Sequence, residues 1–415
     1  MKRIGVLDCN NFFVSCERLL RPDLQNKPVI VLSGNDGCVV ARSKEIKDKG
    51  IPMGVPYFQI KDTIKEMGAV VFSSNFALYR DVSRRVFEVL RTEFPSLEQY
   101  SIDEAFFYID NDDLDKVEMV RKKIEHWIGV PVSIGVAESK TQAKYVNSVA
   151  KKTGLVEVWS KERWDNESVR IKLTDVWGVG KSLATSFKNE NLIYVSDLLS
   201  WSSRSLHEKF GITAVRLRSE LIGAPFFSIS DKNQEKKSIM SSNSLPHPTN
   251  EIATLESEFC RHVHAVAQDL FVSGLLAEKL KVALYPSRFS DFSGYGFSLE
   301  TKFDIPTNDI FILTKEALRL FKRGFRQKVP YKRVVVVVSD LVRVEHISVN
   351  LFGYSNSDIT NDVSRLLFSI NEKHRTNLLR LATQSIDKNT NFVQKRYLSP
   401  KYTTSWTDLK IVKAK

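Results

Sequence analysis

Cysteine is scarce and unpaired in pattern: Cys9, Cys16, Cys38 and Cys260 are the four present in 415 residues, and no two form a CxxC spacing. Neither a disulfide framework nor a zinc knuckle is therefore expected, and a reducing, cytoplasmic setting fits best. Long hydrophobic runs are missing as well. The longest β-branched block is Val334–Val338, far short of the roughly 18 apolar residues of a membrane span, so no membrane association is expected. The opening MKRIGVLDCNN meets a carboxylate at Asp8 before the ~7–15 apolar residues of a secretory leader have accumulated. There is no internal repeat and no low-complexity tract. Hydrophobic residues at 42% and charged residues at 27% set the chain apart from disordered and collagen-like classes. At about 100–200 residues per domain, the length predicts two to four domains.

What is present in excess is positive charge, and it is unevenly placed. The net charge is +12. Residues 1–165 carry 25 Lys/Arg against 24 Asp/Glu, the remaining 250 carry 36 against 25, and 371–415 alone carry 10 against 3. A neutral front followed by a basic rear predicts a polyanion held mainly by the later domains.

Periodicity gives the organisation. Ile4–Leu7, Val29–Leu32 and Val39–Ala41 read as strands, Ser43–Lys49 as a helix, and Asn75–Phe94 as a long amphipathic helix with Leu78, Val82, Val86 and Leu90 on one face. Leu97–Ile109 reads as two strands around a polar break at Asp103-Glu104. Leu114–Trp127 then reads as a helix, Val132–Val136 as a strand and Lys140–Lys152 as a helix. That order is a split βαβ, ferredoxin-like sheet with residues at about 25–74 inserted. Lys172–Gly223 is helical, Ser228–Asn250 reads as a polar linker, and Glu251–Ser339 alternates helices and strands as a second α+β domain. Beyond Gly353 the chain reads as helical, then as a basic tail of little structure.

Asp8 ends the first strand and Asp103-Glu104 lies between two others, so neighbouring strands in such a sheet bring three carboxylates to one face. Three buried anions repel unless cations join them. Oxygen ligands without His or Cys favour Mg²⁺ or Mn²⁺ over zinc, and two such ions support in-line displacement of pyrophosphate by a hydroxyl. An Asp-Glu pair alone is more often a solvated turn, but SIDEAF embeds this one in apolar residues.

Five blocks in order then carry a resemblance: DCNNFFVSCE (8–17), NDGCVVARSKEIKDKGI (35–51), SSNFALYRDVS (73–83), YSIDEAF (100–106) and SKTQAKYVNSVAKK (139–152), with YLSPKYTTSWTDL (397–409) near the end. Together they resemble the Y-family DNA polymerases, in the wording of the UmuC subgroup: the catalytic subunit of bacterial DNA polymerase V and its plasmid- or phage-borne relatives. The resemblance covers essentially the whole chain. It implies an α+β multidomain right hand: a ferredoxin-like palm (1–25 and 75–168), small fingers (26–74), a helical thumb with a helix-hairpin-helix (169–235), an α+β little finger (240–345) and a basic C-terminal region (346–415). It also implies error-prone, template-directed synthesis past damaged bases in the SOS response, with no segment for a proofreading exonuclease.

Roles transfer position by position. Asp8, Asp103, Glu104 and the Cys9 carbonyl would hold two Mg²⁺ ions. Phe12 and Phe13 form the aromatic pair, with Phe13 in the steric-gate position that excludes a 2′-OH. Lys47 and Lys151 fall where the family contacts the triphosphate, and Lys44 stands where many relatives carry a tyrosine. Gly178, Gly180 and Lys181 match the thumb's phosphate-gripping turn, and Lys209–Ile212 resembles a degenerate second copy. Basic residues of the little finger, among them Lys279, Lys281, Arg319, Lys322, Arg323, Arg326, Lys328, Lys332 and Arg333, suit phosphate contacts. Leu351-Phe352 keeps the apolar anchor of a sliding-clamp peptide, with Ser348 in place of the family's glutamine. Primer–template DNA and dNTPs are the implied substrates, and a processed UmuD-like dimer and RecA the implied partners. A nucleotidyl cyclase could share the palm and its carboxylates, but has no use for the basic rear half. A DNA-binding subunit with a dead palm would not need all three carboxylates.

Overall fold

The structure, a computed structural model, describes residues 2–110, 113–153, 155–230, 236–346, 362–374, 378–384, 395–403 and 405–409. The chain forms two compact units, Met1–Asn233 with Lys395–Lys415, and Gln234–Gln394.

The first unit is built on β1 (Lys2–Cys9), an apolar strand that is buried from Ile4 onward. It pairs antiparallel with β6 (Glu104–Asp110) on one side and β7 (Val132–Ala137) on the other. With β5 (Leu97–Gln99) and β8 (Val156–Val158) the sheet runs β5-β6-β1-β7-β8, the ferredoxin-like order. One face packs on α4 (Phe76–Glu93) and α5 (Leu114–Ile128) through Leu78, Val82, Val86, Val117 and Ile124. The other face packs on α6 (Lys140–Thr153) through Ile4, Val6, Phe106, Ala143 and Val146. Helix α6 lies very close to β7, because a Cβ at Gly135 would collide with the backbone of Ala143 and Asn147.

Between β1 and α4 are α1 (Phe12–Leu19) and an inserted sheet of β2 (Val29–Leu32), β3 (Val39–Arg42) and β4 (Val70–Ser73), ordered β3-β2-β4. Short α2 (Lys44–Asp48) and α3 (Tyr57–Glu66) cover it over a core of Ile30, Leu32, Ile46 and Ile64. After β8 the chain is helical: α7 (Lys161–Glu167), α8 (Lys181–Asn189), α9 (Val195–Ser200), α10 (Ser203–Phe210) and α11 (Ile212–Leu221). Buried Glu220 binds this part to the start of α6, accepting from the Thr141 amide at 3.1 Å and from the Phe226 and Phe227 amides at 2.7 and 3.0 Å.

The second unit is a four-stranded antiparallel sheet, β11-β10-β12-β9, from β9 (Ser238–Thr249), β10 (Leu275–Pro286), β11 (Phe297–Thr307) and β12 (Tyr331–Arg343). Helices α12 (Ile252–Val272) and α13 (Ile310–Gly324) cover one face. The linker expected at Ser228–Asn250 is in large part β9. Its Ser- and Asn-rich sequence has no strand period, but its backbone pairs with the valine run of β12 from Ser339↔Ser238 to Arg333↔Ser244, and tertiary pairing overrides weak local propensity.

In the C-terminal region the helix expected beyond Gly353 is present, and the described part of the stretch expected as a tail of little structure is packed rather than loose. Helix α14 (Asp362–His374) buries Leu367 and Phe368 in the core of the second unit, whereas residues 395–403 and 405–409 belong to the first.

Candidate active site

Side chains alternate across a strand, so Ile4, Val6 and Asp8 all face α6, and the β1–β6 register sets Glu104 directly opposite Asp8. Asp103, one residue before β6, accepts the Cys9 amide on its carbonyl at 2.9 Å, while its carboxylate accepts the Ser101 hydroxyl at 2.6 Å. All three carboxylates line one cavity of about 560 Å³, which Cys9, Phe12, Phe13, Lys47 and Lys151 also line.

Two lysines of α6 neutralise the carboxylates. Lys151 Nζ reaches Asp8 Oδ2 at 2.6 Å, and Lys144 Nζ reaches Glu104 Oε1 at 2.6 Å. Lys144 also sits 5.0 Å over the Tyr100 ring and 5.9 Å from the centre of Trp177. Burial pushes the Asp8 carboxyl up to about 7, its hydrogen bond with Glu104 adds to this, and Lys151 only partly offsets it. For Glu104 burial acts upward too, but the hydrogen bonds from Asp8 and Lys144 hold it below the ordinary glutamate value. Among the described residues no group of three His, Cys, Asp or Glu side chains is already arranged as a metal cage. The acidic pair is instead held by ammonium groups on a movable stem.

The other predicted residues divide. Phe12 is buried in the core, and Phe13 is half-buried, stacked 4.4 Å from the Tyr79 ring at 12° and edge-on to Phe76 at 5.8 Å. The Cys9 side chain is in the core, and burial raises its thiol well above the ordinary range, so only its backbone is available for chemistry. Lys47 lines the cavity, but the exposed Lys44 does not. Arg42, two residues earlier, lines it instead, as do Met53 and Asn11. Asn11 is legible in the sequence only as part of the CNN turn; it adopts φ 48°, ψ 43° ahead of α1, a left-handed conformation that asparagine tolerates better than most residues.

In the helical part, Gly178 has φ +93° and Gly180 caps the start of α8, with Lys181 exposed beside it. The arm before this turn is a single 3₁₀ turn, Leu173–Asp175, rather than a full helix. Gly211, φ +76°, joins α10 to α11 in the second such turn. In the second unit the basic residues fall on two layers. Cross-strand register places Lys279, Lys281 and Arg333 on the open face of the sheet, along with Lys302. Arg319, Lys322 and Arg323 are on α13, on the helical side, where Arg319 pairs with Glu316 and Lys322 with Glu256. Lys332 is half-buried and donates to the Pro246 carbonyl. Ser348, Leu351 and Phe352 lie outside the described residues.

A ferredoxin-like sheet that presents adjacent carboxylates to a cation-rimmed cavity, beside an inserted sheet and a helical segment, is the architecture of a right-hand nucleotide polymerase. Comparison with known proteins narrows the class. The impB/mucB/samB family profile matches residues 7–148, its C-terminal domain matches 236–351, and a domain of unknown function (DUF4113) matches 363–412. Protein UmuC of Salmonella typhimurium is 30% identical over 99% of this chain and 100% of its own length. DNA polymerase IV 1 of Bacillus subtilis is 27% identical over 90% of this chain and 91% of its own. Among solved structures, a chimera of the Y-family DNA polymerases Dbh and Dpo4 has the same fold, with a TM-score of 0.70 at 19% identity over 83% of this chain and all of the chimera. The chain belongs to the impB/mucB/samB family, as a UmuC-type Y-family DNA polymerase. No helix among the described residues is long and apolar enough to cross a membrane.

Proposed function

We infer that this chain is an error-prone, DNA-directed DNA polymerase that extends primers past damaged bases, using primer–template DNA and dNTPs. The observation that carries the reading is the strand register: Asp8 opposite Glu104, with Asp103 one residue away, in a cavity that also holds Phe13, Lys47 and Lys151. We assign residues 1–25 and 75–168 as palm, 26–74 as fingers, 169–235 as thumb and 240–345 as little finger.

Divalent metal dependence comes with the family. The donor set fits Mg²⁺, with Mn²⁺ as a substitute: Asp8, Asp103, Glu104 and the Cys9 carbonyl are hard oxygens, and Asp8, raised mainly by burial, is a carboxylate whose buried charge a cation would compensate. When bound, two such ions acidify the primer hydroxyl and stabilise the leaving pyrophosphate. The chain's own residues do the rest. Asp8 and Glu104 fix the positions of charge, and Phe13 presents a ring where a ribose 2′-OH would collide. Lys47, Lys151 and Arg42 offer cations to the triphosphate. Gly178, Gly180 and Lys181 present amides and charge to a DNA phosphate. A processed UmuD-like dimer, RecA and a sliding clamp are the partners this reading implies.

The test is Mg²⁺-dependent extension on undamaged and abasic templates, run beside Asp103→Ala and Glu104→Ala. Wild type should extend, and both variants should lose extension while binding primer–template DNA within about twofold of wild type. Loss of binding together with extension would defeat the assignment of these carboxylates.

A further inference from the structure

Behind the residues that line the cavity runs a segment to which neither the catalytic motifs nor the palm, fingers, thumb and little finger give a role: Arg396 to Pro400, within the domain of unknown function. It meets the end of β4, an edge strand of the inserted sheet, at Ser73. Tyr397 accepts the Ser73 amide on its carbonyl at 3.0 Å, its own amide donates to Ser73 Oγ at 3.0 Å, and Leu398 bridges Ser73 in parallel. The Tyr397 ring packs edge-on against Tyr57 at 6.1 Å.

The next residue but one enters the polar network behind the gate. Ser399 is buried, accepts from Asn75 Nδ2 at 3.0 Å on its hydroxyl oxygen, and donates that hydroxyl to Glu17 Oε1 at 3.1 Å. The same Glu17 oxygen accepts the Tyr79 hydroxyl at 2.7 Å, and the Tyr79 ring is the surface on which Phe13 stacks. Glu17 is one helical turn beyond Phe13 on α1, on the same face. Asn75 Oδ1 in turn accepts the Leu78 amide and caps α4, the helix that carries Phe76 and Tyr79. Glu17 is 1% exposed and, among the described residues, its other oxygen has no hydrogen-bond partner and Ser399 and Tyr79 are the donors to the first, so losing either leaves a buried acceptor short.

We propose that Ser399 is a positioning residue for sugar selection: the 396–400 strap, through Glu17, Asn75 and Tyr79, fixes the ring behind Phe13 and so sets how strictly the polymerase rejects ribonucleotides. This rests on the reading of Phe13 given above. No strap residue lines the cavity, so the effect is carried by the packing of one aromatic ring against another.

Single-nucleotide insertion by the full chain tests this, with kcat/KM measured for a dNTP and the matching rNTP. In Ser399→Ala the rNTP:dNTP ratio should rise about fivefold, the worth of one ordinary hydrogen bond. Tyr79→Phe should raise it similarly, and the double variant no further than the larger single, since both act through Glu17. A ratio within twofold of wild type in both single variants, or equal losses for both sugars, would overturn the proposal. Phe13→Ala separates the two readings. If it raises ribonucleotide use while Ser399→Ala and Tyr79→Phe do not, the strap inference alone falls; if it leaves the ratio unchanged, the gate reading falls and the strap inference with it.

Discussion

At the scale of single residues, the site is an arrangement of charge waiting to be rebalanced. Asp8, raised to about 7 mainly by burial, holds its proton below that pH and is anionic above it. A cation binding there at lower pH must displace the proton, so metal affinity should strengthen as pH rises and level off above about 7. Primer extension at limiting Mg²⁺ should show an apparent metal constant that falls by up to about tenfold per pH unit below 7 and flattens at pH 8; a constant that is flat from pH 6 to 8 would refute the protonated Asp8. Asp8 and the Asp103-Glu104 pair are legible in the sequence, because a carboxylate ending an apolar strand is a short-range signal. Lys144 is not. In the sequence it is one more lysine on a helix, and only the sheet register opposite α6 brings it within 2.6 Å of Glu104. Arg42 is hidden for a similar reason: the family resemblance draws attention to Lys44, but only the fold shows that Arg42, at the end of β3, lines the cavity while Lys44, the first residue of α2, does not.

At the scale of elements, the catalytic sheet works only if α6 and the helical segment are held against it. Glu220 is the most demanding of these ties, fully buried with three backbone amides donating to its two oxygens. Two of those donors begin the segment after α11, and one is in the first turn of α6, where an acidic group also suits the helix dipole. Glu220→Ala should lower unfolding free energy by about 3–5 kcal/mol, because the buried amides lose their acceptor, and Glu220→Gln should recover part of that. Chemical denaturation measures both; a cost under about 1 kcal/mol for the alanine variant, no more than one ordinary hydrogen bond, would show the tie to be dispensable. The helices around this junction are readable from their apolar spacing, and the ends predicted for α4, α5 and α6 lie within one or two residues of those observed. Strand β9 is not readable. Its Ser-rich sequence is made a strand by a partner almost a hundred residues away, Val334↔Asn243 for one, and no local pattern encodes such a partner.

At the scale of the whole molecule, charge and topology answer different questions. The basic rear half is visible from a count of residues, yet the count does not say which cations point the same way. The structure divides them, with Lys281 and Arg333 on the exposed sheet face of the second unit and Lys322 and Arg323 on the helical layer across its core. The open β-face carries Lys281 and Arg333 among the small polar residues Ser242, Ser244 and Ser298, with Glu300 across from Lys281, and is a broad surface suited to a phosphate backbone. Both layers spend part of their charge on acids, Lys279 on Asp340 and Lys302 on Glu278 at the sheet, Arg319 on Glu316 and Lys322 on Glu256 at the helices. Lys281→Gln with Arg333→Gln should therefore weaken primer–template binding and reduce the slope of log K against log salt by roughly 0.9 for each phosphate that is no longer neutralised. Lys322→Gln with Arg323→Gln removes the same net charge from the other layer. If net charge alone drove binding, the two pairs would weaken it equally; if the sheet is the DNA-facing surface, only the first pair changes the slope, and the second leaves it within error of wild type. Titrations of a fluorescent primer–template between about 50 and 200 mM salt, a range over which roughly 10³-fold effects accompany the neutralisation of about six phosphates, distinguish the two outcomes directly.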